Sequence, residues 1–402
     1  MDPKKRPLFN AAWSPECFAQ LTKLMEGRVG RVPFRVAETP LFVTPELRDR
    51  LTRSALEIVA QVSSPERVAQ LRKAVPARYD MPGMDALPNT VQVDFALVEG
   101  ESGRLEGQLI EMQGFPSLYA LMPTMAECWA EVMRAMPGLD EPWSSWTGLG
   151  RERAVSLLRR AIVADNDPEH VVLVDIEPQK QKTRSDFVAT QQMLGVEAMC
   201  VTQIKVEGRK LFREKDGRRV PIKRIYNRMV FDELEVKKVP VPFRWTDELD
   251  VTWCSHPNWY WTWSKYCLPF LDHPAVPQTR FLSEIEELPE DLSGYVLKPL
   301  FSFAGSGVVV DVTPEAIAAV PAEQRSNWVL MRKIEYAPAL LMPDGKGVKV
   351  EVRVMLVRPP DEPSFTSLLC LVRLSRGKMI GVDHNKDTPW TGGSVGMWPE
   401  GS

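Results

Sequence analysis

Apolar positions along this chain change period several times, and each change marks a different kind of element. Between Pro15 and Ala77 they recur at helical spacing: Leu47, Leu51, Ala55 and Ile58 share one face, and Thr44-Pro45-Glu46 supplies a cap and first turn before them. Ser64-Pro65-Glu66 repeats that start ahead of Val68 and Leu71. The period then falls to two. Thr90-Val-Gln-Val-Asp-Phe-Ala-Leu-Val alternates, Gly100 to Gly103 makes a turn, and Leu105 to Met112 is a second strand, which predicts a hairpin with one polar face. Leu118 to Met136 returns to helix.

Beyond a linker-like stretch from Pro137 to Gly150, a helix from Glu152 to Ala164 leads into His170-Val-Val-Leu-Val-Asp, an apolar run suited to a buried parallel strand. A helix from Asp186 to Leu194 and strands at Val196 to Val201 and Ile222 to Arg228 extend this into a small open α/β sheet. The aromatic stretch Trp253 to Trp263 and a helix around Lys265 close it. After Asp272 the chain is strand-rich, with runs at Val296 to Lys298, Val308 to Val312, Trp328 to Ile334, Val348 to Val357, Ser367 to Ser375 and Lys378 to Asp383. The pattern predicts a mixed α+β and α/β chain in three parts: 1–150, helical with the hairpin; 151–272, the small α/β sheet; and 273–402, the strand-rich part.

Composition narrows the partners. The chain has 402 residues, 26% of them charged, with a net charge of -3, so neither sign makes the footprint of a nucleic-acid-binding surface. No apolar h-region follows Met1-Asp-Pro-Lys-Lys-Arg and no apolar run reaches spanning length, so a cytoplasmic protein without a membrane partner is expected. The six cysteines lack CxxC spacing, which predicts reduced thiols. Cys254, His256, Cys267 and His273 carry zinc-compatible side chains, but C-x-H is not a knuckle spacing.

Candidate chemistry gathers in a few segments. Tyr295-Val-Leu-Lys-Pro followed by Ala304-Gly-Ser-Gly-Val reads as a strand ending in a lysine and then a small-residue loop, able to cradle a phosphate or to make a plain hairpin turn. Asp94 on one hairpin strand and Glu111 and Gln113 on the other offer hard oxygen donors to a divalent cation, or a solvated polar face. In Lys349-Val-Glu-Val-Arg-Val-Met, strict alternation puts Lys349, Glu351 and Arg353 on one face, with Arg373 on a later strand. That cluster suits a phosphoryl group; cross-strand ion pairs have the same composition. Trp328-Val-Leu-Met-Arg-Lys-Ile turns polar abruptly, as at the rim of a nucleotide cleft, and Thr391-Gly-Gly-Ser reads as a second anion cradle or a loose tail.

In their order, these segments resemble the ATP-grasp superfamily, in the circularly permuted branch of the eukaryotic-type glutathione synthetases and related ATP-dependent carboxylate–amine ligases. Val93-Asp-Phe and Leu109-Ile-Glu-Met-Gln look like that family's Ser-Asp-Tyr and Ile-Glu-Ile-Asn, Ile225-Tyr-Asn-Arg like its Tyr-Phe-Arg, and Tyr295-Val-Leu-Lys-Pro like its second lysine motif. The likeness spans about residues 88 to 398. It implies a permuted ATP-grasp fold with an inserted substrate domain, ATP and Mg²⁺ as cofactors, and small carboxylate and amine substrates, with a homodimer as a possible assembly. By the same resemblance Asp94, Glu111 and Gln113 would hold the metal, and Lys265, Lys298, Gly305, Ser306, Gly307, Met331, Lys333 and Glu351 the nucleotide. Arg353 and Arg373 would meet the transferring phosphoryl, and Arg228 a substrate carboxylate. Two other functions are compatible with the resemblance: a catalytically inactive ATP-binding regulator or scaffold, and an ATP-dependent kinase. Gln113 replaces the family's Asn, Gln92 replaces an arginine that grips the peptide substrate, and Gly114-Phe-Pro-Ser-Leu-Tyr departs from its glycine-rich loop. These departures point away from glutathione toward a different acid and amine.

Overall fold

A computed structural model describes residues 1–302, 306–377 and 388–401. Its N-terminal part is helical (Lys5–Ala12, Pro15–Val29, Pro45–Val62, Pro65–Leu71), interrupted by the short strand β1 (Leu41–Phe42). The Ser/Thr-Pro-Glu starts act as read: the Thr44 and Ser64 hydroxyls accept from the amides of Leu47 and Arg67, and the prolines occupy the first turns. The hairpin follows as β2 (Thr90–Glu99) and β3 (Leu105–Gln113), then a helix, Leu121–Met133, and the short β4 (Trp143–Ser144).

The helix Arg151–Ile162 leads into β5 (Val171–Asp175), the helix Arg184–Leu194 into β6 (Glu197–Cys200). A charged meander comes next: β7 (Lys205–Glu207), β8 (Lys210–Lys215) and β9 (Arg218–Ile222). Strand β10 (Arg224–Asn227) returns to β5, and after the helix Phe231–Lys237 comes β11 (Thr252–Cys254). The segment expected as a helix around Lys265 is a 3₁₀ helix, Lys265–Phe270, with Pro269 inside it. Then come β12 (Thr279–Phe281), β13 (Tyr295–Pro299), β14 (Trp328–Arg332), β15 (Leu340–Leu341), β16 (Gly347–Val357), β17 (Thr366–Ser375) and β18 (Gly392–Pro399).

The largest sheet runs β1-β18-β17-β16-β2-β3, with β15 on β16 and β4 on β18. Its centre joins chain ends: β2, from the first quarter of the sequence, lies antiparallel to β16 with Asp94 opposite Arg353. The segment between them builds a parallel sheet, β11-β10-β5-β6, and a small antiparallel one, β12-β14-β13. The main core packs the helices onto the large sheet through fully buried Phe9, Phe42, Phe95, Trp129 and Trp398.

Two expected features take another form. Val308 to Val312 is not a strand; it touches β13 through one isolated bridge, Leu297 with Val309. Thr391-Gly-Gly-Ser, read as a cradle or tail, opens β18, which pairs with β17 and, in parallel, with β1. The glycine is required there: Gly392 has φ +121°, and a Cβ would stand 2.5 Å from the Arg35 carbonyl oxygen. The strand expected at Lys378 to Asp383 lies outside the described residues. All six cysteines are free thiols. Among the described residues no helix is long and apolar enough to cross a membrane.

Candidate functional site

The polar face predicted from the alternation in β16 is real, and cross-strand register decides what it touches. Glu351 lies opposite Arg373 of β17, Arg353 opposite Asp94 of β2, and Asp94 in turn opposite Glu111 of β3. Asp94 is completely buried. Arg353 donates from Nε to Asp94 Oδ1 and from Nη2 to Oδ2, both at 2.6 Å, and from Nη1 to Gln92 Oε1 at 2.9 Å. Arg373 Nη2 also donates to Asp94 Oδ2. Where the sequence reading gave Asp94 to a metal and Arg353 to a phosphoryl group, the two are clamped on each other in a bidentate pair.

The adjoining pair is looser. Arg373 Nε stands 2.9 Å from Glu351 Oε2 without the alignment of a hydrogen bond, so neither atom has a hydrogen-bond partner among the described residues, while Tyr336 Oη donates to Glu351 Oε1 at 2.6 Å. Burial raises the Glu351 carboxyl above its ordinary pKa, with the Arg373 charge opposing.

Above this floor is a cavity of about 870 Å³. It is walled by the large sheet, by the small antiparallel sheet and by the carboxyl ends of β5 and β10. Glu111, Gln113, Glu351, Arg353 and Arg373 line it from the large sheet, Lys298, Met331 and Lys333 from the small one, and Lys265 and Arg228 from the segments after β11 and β10. Asp94 lies beneath the lining. Ser306 and Gly307 are exposed and outside it, in a turn where Gly307 has φ +74°. Gly305 lies outside the described residues.

Two lysines reach the cavity from separate elements. Lys298, at the inner end of β13, is buried with Nζ 3.2 Å from the Ile110 carbonyl oxygen and 3.3 Å from Met331 Sδ. Burial pushes its pKa down to about 8, with Glu111 pulling it back up. Lys265 Nζ donates to the Ser302 carbonyl at 3.0 Å and stands 3.4 Å from Glu111 Oε2. Burial disfavours the Glu111 anion, but Lys265, Arg373, Arg353 and Lys298 outweigh it and hold the carboxyl at about 2. Gln113, two residues on and on the same face, donates its amide to Glu111 Oε1. Among the described residues, no three or more His, Cys, Asp or Glu side chains are grouped to hold a metal.

At the far end of the cavity, Arg228 spends Nη1 on Asp186 Oδ2 at 2.9 Å, and its guanidinium lies over the rings of Phe115 and Phe187. The sequence reading missed three residues of the site: Tyr336 on the floor, and Asp186 and Asp175 at this end. Tyr336 and Asp186 carry no periodic signal. Asp175 does carry one: it ends a buried parallel strand, and ligands of open α/β sheets sit outside those carboxyl ends.

No protein-family model matches the chain, and no curated protein matches it. Among solved structures it is similar to a glutathione synthetase-like effector, GSS30, from Globodera pallida in its apo form. That likeness has a TM-score of 0.55 at 10% identity and covers 90% of this chain and 95% of the other. With its large mixed sheet and flanking helices, the chain has a glutathione synthetase-like fold.

Proposed function

We propose that this chain is an ATP- and Mg²⁺-dependent ligase that joins a carboxylate to an amine, with nucleotide in the cavity between the small sheet and the polar floor. The observation that carries this reading is the convergence of Lys265 and Lys298, two buried ammonium groups with Glu111 as the shared carboxylate. A buried cation that is short of anion is costly until an anionic ligand arrives. A polyphosphate meets that need, and Met331 on the same wall offers an apolar surface to a base.

The donors fit a hard cation as well. Glu111 stays ionised, Gln113 offers an amide oxygen, and Oε2 of buried Glu351, ion-paired with Arg373 but not hydrogen-bonded to it, is a further acceptor. When bound, Mg-ATP would supply a γ-phosphoryl group to activate the acid, with ADP as the leaving group, and the amine would lose a proton and displace phosphate to give the amide. In that scheme Lys265 and Lys298 neutralise phosphate charge, Glu111 and Glu351 orient the cation, and Arg373 is the floor guanidinium nearest to release from its partner.

Mg-ATP is expected to stabilise the protein against heat, and a panel of acids and amines to release ADP and phosphate in step with amide. No stabilisation together with no ADP from any pair sinks the reading. One observation favours a nucleotide-binding protein without turnover: Arg353 and Arg373 are both neutralised by Asp94 and Glu351. On that account Mg-ATP stabilises but no ADP appears. A stable phosphorylated product without amide marks a kinase.

Lys298→Met is expected to weaken Mg-ATP binding roughly 10- to 150-fold, since hydrogen bonds to charged groups are worth about 1.5–3 kcal/mol. It leaves the unliganded fold intact or firmer, because it removes a desolvated charge. The pH dependence has a definite sign. The folded pKa of about 8 lies below the usual 10.5, so the unfolded chain binds more protons between them and stability rises with pH across that window. Mg-ATP affinity falls over the same window, as the free protein loses its ammonium; calorimetric titration at pH 7, 8 and 9 checks both the variant and the trend.

A further inference from the structure

The end of the cavity remote from Lys298 holds seven charged side chains that bear on it, and their pairing leaves one of them without an ion-pair contact among the described residues. Lys180 is bound to Glu177, and Lys237 lies 2.7 Å from Glu233 and 4.0 Å from Glu177. Arg228 is held by Asp186 and Arg35 by Glu38, and Lys182 is also engaged. Glu233 has Lys237 and the Gln181 amide. Asp175 has no ion-pair partner among the described residues.

Its surroundings are well defined. Asp175 ends β5, is 3% exposed and lines the cavity. Oδ1 accepts from the Ile176 amide at 2.6 Å and, weakly, from Gln181 Nε2 at 3.5 Å, an amide shared with the Ile176 carbonyl and Glu233. Oδ2 accepts no hydrogen bond from any described residue. A carboxylate on a residue this buried, with one oxygen open to the cavity, suits a cationic donor.

We propose that Asp175 is the recognition group for a protonated primary amine, and that the amine substrate of this protein enters at the carboxyl ends of the parallel strands. The naming of that amine as substrate rests on the ligase reading; the subsite itself does not. An ammonium offers three donors to a site that lacks them, and Glu233 and Gln181 flank it. Burial raises the Asp175 pKa to about 7, with Arg228, the Ile176 amide and Lys237 opposing and Glu233 reinforcing. Amine binding therefore strengthens as pH rises from 6 to 8, where Asp175 ionises while an aliphatic amine keeps its proton.

The test titrates the full chain with 1,4-diaminobutane, lysine and ethylamine at pH 6 and pH 8, with succinate as an anionic control, beside a Mg-ATP thermal shift on the same sample. At least one amine is expected to saturate at pH 8, to bind several-fold more weakly at pH 6, and to lose at least tenfold in Asp175→Asn. That variant keeps an oxygen for the Ile176 amide, and its Mg-ATP shift, unchanged, certifies the fold. Saturation by none of the amines, equal binding by Asp175→Asn, or preference for succinate overturns the proposal. Amine binding without any Mg-ATP shift or turnover overturns the ligase reading and leaves the subsite standing.

Discussion

Asp186→Ala is expected to destabilise the protein by about 3–5 kcal/mol, the cost of stranding one partner of a buried ion pair. Asp186 is completely buried in the helix Arg184–Leu194, and its carboxylate fills four roles. Oδ1 accepts from the amides of Ala120 and Leu121 at 3.1 and 3.0 Å; Oδ2 accepts from the amide of Leu118 at 3.1 Å and from Arg228. The helix Leu121–Met133 has alanine at its cap position and no side-chain cap of its own. Asp186 supplies that cap from another helix, and a carboxylate there also meets the positive end of the helix dipole. It holds Leu118 in the left-handed region as well, at φ +65°.

Removing the carboxylate leaves three amides without an acceptor and a buried guanidinium without its counter-ion. Asp186→Asn keeps the volume and one acceptor oxygen and is expected to cost about 1–3 kcal/mol. Urea unfolding gives the two losses, and amide hydrogen exchange localises them: protection at Leu118, Ala120 and Leu121 should collapse in Asp186→Ala before that of β16. A loss under about 1 kcal/mol with those amides still protected shows that the cap is not needed.

How much of this was legible in the sequence depended on whether an element announces itself locally. The helix starts at Thr44 and Ser64 and the strict alternation of β16 are local signals, and the chain follows them. Strand β18 is not local: its glycines break every propensity rule because the backbone of Arg35 passes within reach of them. The meander β7–β9 was hidden by its charges, some of which are paired across to the parallel sheet, as Arg213 and Lys215 are on Glu197. The site divides in the same way. Alternation places Lys349, Glu351 and Arg353 on one face, but only the register between β2 and β16, strands some 250 residues apart, sets Asp94 against Arg353.

That register yields the second large effect. In metal-free protein, Asp94→Ala is expected to cost about 3–5 kcal/mol, because buried Arg353 and half-buried Arg373 would then face each other without their common anion, with Glu351 left to Arg373. Glu111→Gln removes a carboxylate that four cations crowd, yet it leaves the bidentate pair untouched. It also takes from buried Lys265 and Lys298 their shared carboxylate, so it should destabilise the metal-free protein as well as weaken Mg-ATP binding. The double variant Asp94→Ala with Arg353→Met should recover much of the loss, since removing both partners of a buried pair is often nearly neutral. Unfolding in EDTA separates the two roles for Asp94. A midpoint unchanged by Asp94→Ala without metal, together with a lost response to Mg²⁺, would return Asp94 to the metal. A large loss in EDTA, reversed in the double variant, makes Asp94 the brace of the cavity floor and leaves cation binding to Glu111, Gln113 and Glu351.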